Sequence, residues 1–413
     1  MRPMRQRLAD LAADIPYAIV GGPFGSKLTS SDYVEEGVPV IRGSNLTGGR
    51  HLRHEDLVFV SEQKVREDLF GNLAHKGDIV FTQRGTLGQV ALIPQDAPFD
   101  SYVVSQSQMK MTVDAKKADA RYVYYWFTSR ETIESLVSRN SSSGVPHINL
   151  TVLRDFQIPV PDLKVQRRIA DVLSSYDDLI ENNQRRISLL EEAARLLYRE
   201  WFVRLQFPGH EHVELVGGVP KGWERVSAST AFWVNPSTPR TDEGEITYVP
   251  MAALSETGML IDQRFFERRL NATSVRFQNG DTLFARITPC LENGKTGFVQ
   301  FLPAGQVACG STEFIVLRGR RVSNYFVYLT SRQQEFRENA IKSMIGSSGR
   351  QRVQPSCFDR YFVLVPPPSL ATVFDETVAP LFRQIRLLEQ QIDRLADARD
   401  LLLPRLMSGE LAV

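Results

Sequence analysis

Two heptad seams, far apart in one chain, carry the same spacing. Leu173, Tyr176, Ile180, Ile187, Leu190, Ala194, Leu197 and Trp201 step by threes and fours, with Asn183 as a polar interruption. Val378, Leu381, Ile385, Leu388, Ile392, Leu395, Arg399 and Leu402 repeat those steps at a constant offset of 205. Apolar residues at this period lay a stripe along one helix face, and the stripe needs a partner helix to cover it. The partner is in the same chain. The spacing predicts a helix over 163–203 and a second one near the C-terminus that pairs with it. So long an offset marks the duplication of a whole domain-plus-helix unit, since solenoid periods are roughly 20–50 residues.

A symmetric register sets 173 opposite 402 and 197 opposite 378. It then places Asn183 against Ile392, and Tyr176 against Arg399 for a cation–π contact. Asn183 reads equally as a residue that penalises wrong alignments and as a surface asparagine on a loosely wound pair. For Arg399 the plainer reading is a side chain snorkelling near a helix end.

The 413 residues have room for about two to three domains. With 42% hydrophobic and 23% charged residues the chain can bury an ordinary globular core. No apolar leader follows Met1 and no run approaches about 18 apolar residues, so neither a signal peptide nor a membrane span is expected. Cys290, Cys309 and Cys357 are odd in number and widely spaced, which suits reduced cytoplasmic thiols. Net charge is +1, and only residues 206–366 lean basic, with 18 cationic against 15 acidic groups. Affinity for nucleic acid must therefore come from local patches or from a partner protein.

Residues 1–160 read as a mostly β unit. Strand-like runs are Val38–Ile41, Asp56–Val60, Asp78–Thr82, Gln89–Ile93 and Gln108–Val113, with one helix over Arg121–Ser138 and a last strand at Phe156-Gln-Ile-Pro-Val-Pro. Residues 206–366 repeat the order. Gly77-Asp-Ile-Val-Phe-Thr returns as Gly280-Asp-Thr-Leu-Phe-Ala, and Tyr124-Tyr-Trp-Phe-Thr-Ser-Arg as Phe326-Val-Tyr-Leu-Thr-Ser-Arg. Trp201 to Gly209 reads as the linker into the second unit. The scaffold repeats, but the loops do not.

Nothing in the chain composes a catalytic constellation. There is no Walker loop, no dinucleotide fingerprint and no amino-methyltransferase signature. Asp56 with Glu62-Gln-Lys64 mixes carboxylates and a lysine as nucleases do, but its acid–acid spacing is short and its surroundings read as a solvated turn. His51 and His54 lack further ligands for a metal. The loops are more informative. The first unit offers Lys27, then Arg42, Ser44 and Asn45, then Arg84 and Thr86. Gln106, Ser142, His147 and Asn149 complete its set. The second unit offers Arg286, Thr288 and Lys295, then Ser311 and Thr312, then Ser347, Arg350 and Arg352. Guanidinium and amide groups read base edges, and hydroxyls hold phosphates. Surface loops are polar in any protein, however, so these residues alone leave DNA contact and plain solvation both open.

Several stretches, in order and at their spacing, resemble the specificity subunit of type I restriction–modification systems. Ile158-Pro-Val-Pro-Asp-Leu-Lys-Val-Gln-Arg-Arg-Ile-Ala-Asp-Val-Leu is similar to the start of that family's first conserved helix. Leu189-Leu-Glu-Glu and Leu197-Tyr-Arg-Glu-Trp-Phe resemble its end. Gly218-Val-Pro-Lys-Gly-Trp223 resembles the opening of a second target-recognition domain, and Gly22-Pro-Phe-Gly-Ser-Lys-Leu a recurrent loop of the first. Two stretches depart from the pattern. The first unit has no Pro-x-Gly-Trp opening, and Ser369-Leu-Ala-Thr-Val-Phe replaces the glutamine-containing start seen at Val165-Gln-Arg.

The resemblance implies an α+β chain of four parts. Target-recognition domain 1 spans 1–162 and spacer helix 1 spans 163–205; domain 2 spans 206–367 and spacer helix 2 spans 368–413. It further implies double-stranded DNA as ligand, with a split asymmetric site read one half per domain. Two methyltransferase subunits dock through the helices, and endonuclease/translocase subunits join them. This chain binds no cofactor; S-adenosylmethionine, ATP and magnesium belong to the partners. It works in the cytoplasm, away from membranes. Rival classes are a protein-interaction scaffold without DNA binding, a methylation complex lacking the endonuclease, and a nuclease.

Overall fold

A computed structural model describes residues 4–46, 49–54, 56–139, 145–239, 244–270, 274–347 and 349–413. The chain divides into two compact units, one of residues 1–182 with 392–413, the other of residues 183–391. Both long helices cross that division. The first runs Leu163–Tyr198 and continues as a π-turn over Arg199–Val203; the second runs Pro368–Met407.

Among the described residues the first unit holds two larger sheets and a two-stranded one. One is four-stranded, in the order Ile19–Gly21, Gln108–Met111, Ile79–Thr82, Val90–Leu92. The other is five-stranded, in the order Tyr33–Val34, Val58–Val60, Val38–Ile41, Ser101–Val104, Leu73–His75. In it only Val38–Ile41 and Ser101–Val104 run parallel. Arg5–Arg7 pairs with Gln157–Pro159, so the beginning of the unit is laced to its end.

The second unit repeats this plan. Phe232–Val234, Phe314–Gly319, Thr282–Ala285 and Thr296–Phe298 form one sheet, and Glu267–Arg269, Ile246–Val249, Val307–Gly310 and Val275–Gln278 the other. Again one inner pair, Ile246–Val249 with Val307–Gly310, is parallel. Glu224–Ser227 laces to Phe362–Val365.

The repeated Gly-Asp dipeptide has a structural cause. Gly77 and Gly280 take φ of +89° and +90°, a turn that L side chains rarely adopt. The aspartate that follows accepts a backbone amide three residues back, from His75 at 2.9 Å or Gln278 at 2.8 Å. Each buried aspartate then pairs with a cation on the adjoining strand, Asp78 with Lys110 at 3.2 Å and Asp281 with Arg318 at 2.6 Å. Burial pushes the Asp281 carboxyl up, and the Arg318 guanidinium opposes that rise.

The stretch expected as one helix over Arg121–Ser138 is two. Ala120–Thr128 is capped by Asp119, and Arg130–Ser138 begins after Ser129, which takes ψ 140° and caps the new helix with its hydroxyl. The stretch expected as a linker also differs. Trp201, Phe202 and Phe207 are buried. Phe202 packs on Trp223, Phe326 and Phe374 at ring distances of 5.7, 4.8 and 4.7 Å, so these aromatics are core of the second unit.

Within the first unit the two helices run antiparallel. Leu173 packs in one core with Leu403, Leu406 and Met407, and partly buried Leu402 packs against that core. Asp177 pairs with Arg399 at 2.5 Å. In the second unit Asn183 donates to Gln391 at 3.4 Å, and Trp201 meets Phe374 at 5.5 Å. For Asp177 with Arg399, Asn183 with Gln391 and Trp201 with Phe374 the residue numbers add to between 574 and 576, around the symmetric register. Two expected partners change: Arg399 takes Asp177 rather than the ring of Tyr176, and Asn183 takes Gln391 rather than facing Ile392. Ile180, Ile187, Val378, Ile385 and Leu388 are buried; Leu381, Ile392 and Leu395 are half-buried. Tyr176, Leu190 and Leu197 are half-buried as well, while the residue after each is buried. Those neighbours are Asp177, Glu191 and Tyr198. A helix covered by both a helix and a β-rich body needs a wider buried stripe than a two-helix seam does.

Candidate nucleic-acid interface

In each unit the strand that follows the Gly-Asp turn ends in a loop, and two further loops are clipped to it. In the first unit the Gln83 amide donates to Ser107 O at 2.7 Å and the Arg84 amide to the same oxygen at 3.2 Å. Ile148 N donates to Gln83 O at 3.0 Å, Gly85 N to Pro146 O at 2.9 Å, and Arg84 pairs with His147. In the second unit Arg286 N donates to Glu313 O at 3.0 Å, Val353 N to Arg286 O at 2.8 Å and Thr288 N to Gln351 O at 3.1 Å. Three loops that are far apart in sequence thus converge in both copies, by the same main-chain device.

The expected site residues separate into those spent on holding loops and those left at the surface. Asn45 and Thr288 are buried. Asn45 accepts from Arg42 N and donates to Arg53 O; Thr288 accepts from Gln351 N. Gln106 donates to Gly25 O and Leu28 O at 2.6 and 3.1 Å. Asn149 caps the helix Leu150–Arg154 through Val152 N at 2.8 Å. Ser311 accepts from Glu313 N at 3.2 Å, and Lys295 donates to Met251 O at 3.4 Å. Arg42 donates to Asp56 O and half-buried Arg286 to Val353 O. Arg352 is held by both Glu313 oxygens, with contacts of 2.7–3.0 Å.

Lys27, Ser44, Arg84, Thr86, Thr312, Ser347 and Arg350 are exposed, and His147 is half-buried. Ser142 lies outside the described residues. Glu313 was not anticipated, because a lone acid beside Ser-Thr gives no sign that it will neutralise an arginine 39 residues away. The capping role of Asn149 did leave a signal, an asparagine directly before a short apolar run.

His54 bonds Tyr102 at 2.9 Å and His51 faces Glu181 at 3.4 Å. Among the described residues no three His, Cys, Asp or Glu side chains gather where a metal could sit, and no helix is long and apolar enough to cross a membrane. The three cysteines are unbridged.

A family described as the type I restriction modification DNA specificity domain matches residues 25–192. The MjaIX type I restriction enzyme specificity subunit of Methanocaldococcus jannaschii is 26% identical over 86% of this chain and 82% of its own length. The HindI specificity subunit of Haemophilus influenzae is 21% identical over 81% and 87%. In fold, the crystal structure of the type I S subunit from M. genitalium covers 98% of this chain and 99% of its own, with a TM-score of 0.55 at 16% identity. Duplicated β-rich units, a helix after each and the paired helices agree with these likenesses. Over residues 25–192 the chain thus matches the type I restriction modification DNA specificity domain, and over most of its length it is similar to specificity subunits of type I restriction enzymes.

Proposed function

We propose that residues 1–162 read one half of the DNA site and residues 206–367 the other, through the three clipped loops of each unit. The observation that carries this reading is the shared main-chain convergence, which gives two recognition surfaces one frame and different side chains. Lys27, Arg84 and Thr86 in the first unit, and Thr312, Ser347 and Arg350 in the second, are the leading readers because they are exposed. Arginine forks suit guanine, and small hydroxyls suit phosphate. Because the loops differ, the half-sites differ, and the site is asymmetric with an unread gap.

The paired helices, 163–205 and 368–413, act as the spacer and as the platform for two methyltransferase subunits. Those partners supply S-adenosylmethionine chemistry at adenine, one on each strand. Endonuclease/translocase subunits with ATP and magnesium complete the restriction complex, in the cytoplasm.

Genome-wide mapping of methylated adenine, with and without this chain, tests the proposal. A two-part motif that disappears with the chain is the expected result; an unchanged methylation pattern would sink it. A salt-dependent, sequence-selective shift of duplex DNA separates this reading from a scaffold that binds only proteins.

A further inference from the structure

The loop after strand Ile19–Gly21 carries a bare aromatic on a rigid base. Phe24 is 84% exposed, between buried Pro23 and buried Leu28. An isolated exposed apolar side chain is ordinary. What distinguishes Phe24 is how firmly its loop is held. A Cβ on Gly22 would lie 1.9 Å from Ser105 O, so the chain there sits directly against its neighbour. Gly22 N donates to Gln108 O at 2.9 Å, and Asn72 donates to Gly21 O at 2.8 Å. Gly25 turns the tip with a φ of +62°, and the Gln106 amide ties down both Gly25 and Leu28. The next residue, Ser107, receives the amides of Gln83 and Arg84. The aromatic loop and the Arg84 loop are thus fixed to consecutive residues of one turn, with exposed Lys27 three positions beyond the ring.

Among the described residues the matching loop of the second unit has no such feature; exposed Trp233 lies on the strand itself, under Arg320, and exposed Phe265 ends a short helical turn. Its matching strand, Phe232–Val234, is followed by Asn235-Pro-Ser-Thr-Pro, which holds no aromatic. Asn235 is bound to strand residue Val316 through both its amide and its side chain. Exposed Ile345 lies in an extended stretch paired with Arg352, not at a loop tip.

We infer that Phe24 is a wedge, which the first recognition domain inserts between neighbouring base pairs of its half-site. This rests on the reading that the clipped loops face DNA. Apolar wedges of this kind unstack one step and kink the duplex, and flexible pyrimidine–purine steps yield at least cost. The ring would therefore select for a deformable step in the first half-site without bonding to any base edge. The second half-site would stay stacked.

The test uses the complex with its methyltransferase subunits and a duplex carrying the mapped site. 2-Aminopurine is placed at one position at a time, in both halves, away from the methylated adenines. Binding of the unmodified complex should raise fluorescence at one step of the first half-site and at none of the second. Phe24→Ala should abolish that rise and weaken specific binding roughly tenfold, with the salt dependence unchanged. Phe24→Leu should restore part of both. Lys27→Ala should keep the fluorescence rise but lower the salt slope by about one. If the complex binds its site tightly and no step brightens, or Phe24→Ala binds as well as the unmodified chain, the wedge is wrong. A complex that does not tell its site from unrelated DNA would instead overturn the recognition reading beneath it.

Discussion

The hydroxyl of Tyr125 donates to the carboxylate of Asp177 across 2.5 Å, joining the β-rich part of the first unit to the long helix that follows it. The same carboxylate holds Arg399 of the second helix. In the second unit Tyr328 does likewise with Glu191, at 2.6 Å, and Glu191 also holds Arg195 and accepts Met259 N. Asp177→Ala should strand the buried Tyr125 hydroxyl, while Arg399 keeps Asp400 at 2.8 Å, and cost about 1–3 kcal/mol. Tyr125→Phe, which leaves the ion pair in place, should cost about 2 kcal/mol. A double-mutant cycle read by urea unfolding should show at least about 1 kcal/mol of coupling between Asp177 and Arg399, and close to none between Tyr176 and Arg399. Equal coupling in both cycles would contradict the geometry.

Alkaline pH should destabilise the fold. Burial raises the hydroxyls of Tyr122, Tyr124, Tyr125, Tyr198 and Tyr328 above their ordinary value of 10.0, and for Tyr125 and Tyr328 the nearby carboxylate adds to the rise. The folded chain then keeps protons that the unfolded chain gives up. Their contribution is fully present below pH 10 and declines as pH climbs past it. Each tyrosine should remove about 1 kcal/mol or more per further pH unit. Urea midpoints measured on both sides of pH 10, alongside tyrosinate absorbance, check this. Absorbance that rises before the midpoint falls would show that the tyrosines titrate in the folded state.

The interior pair of Asp78 and Lys110 separates a lost partner from a lost pair. Asp78→Ala leaves the buried Lys110 ammonium without a counter-charge, held only by the Thr112 hydroxyl at 2.9 Å, and should cost about 3–5 kcal/mol. Replacing both by apolar residues of similar size should bring stability back to within about 1–2 kcal/mol of the original, the remainder being the His75 amide that Asp78 accepts. A double variant as weak as Asp78→Ala would show that the charge pair itself stabilises the fold.

Arg350 and Arg352 look alike in sequence, but in the structure they part company. Arg350 is exposed, whereas Arg352 is neutralised by Glu313. Arg350→Ala should weaken binding at the second half-site by about 1–3 kcal/mol if it reads a base, and leave the first half-site alone. Glu313→Ala should release Arg352 toward phosphate and steepen the salt dependence by up to about one. An equal loss for site and non-site DNA in Arg350→Ala would assign that residue to the backbone instead.

Removing one heptad from each helix, at matched positions, shortens the spacer by about 10 Å. The unread gap should shrink by roughly three base pairs, at 3.4 Å per step, while both half-sites keep their sequence. Methylation mapping reads the outcome directly. A full-activity variant with the old gap would refute the helices as the ruler.

The seams were legible because period-seven apolar steps survive in a single sequence, and the constant offset named the partner. The Gly-Asp turns, the proline-closed strands and the order of the elements were legible for similar local reasons. Asp177 and Glu191 were not, since an acid on a helix reads as solvated until a tyrosine from another element is found above it. The parallel pairing of Val38–Ile41 with Ser101–Val104 joins segments some 60 residues apart, and no local pattern encodes it. Ser129 broke a helix that the apolar spacing ran straight through, because its hydroxyl offered the next turn a cap. In the loops, residue type suggested what each side chain might do, but whether Asn45 or Arg84 faced outward depended on neighbours the chain brings in from elsewhere.

The clips that gather the loops are made of amides and carbonyls. They make the same bonds whichever side chains flank them, proline aside. Under the proposed reading, a mutation at exposed Arg84, Thr86, Ser347 or Arg350 would therefore alter what is recognised without loosening the frame that presents it. Such a subunit can acquire a new target in small steps, each still folded and still able to assemble. Frame and lettering are separate in such a chain, and only the lettering has to change.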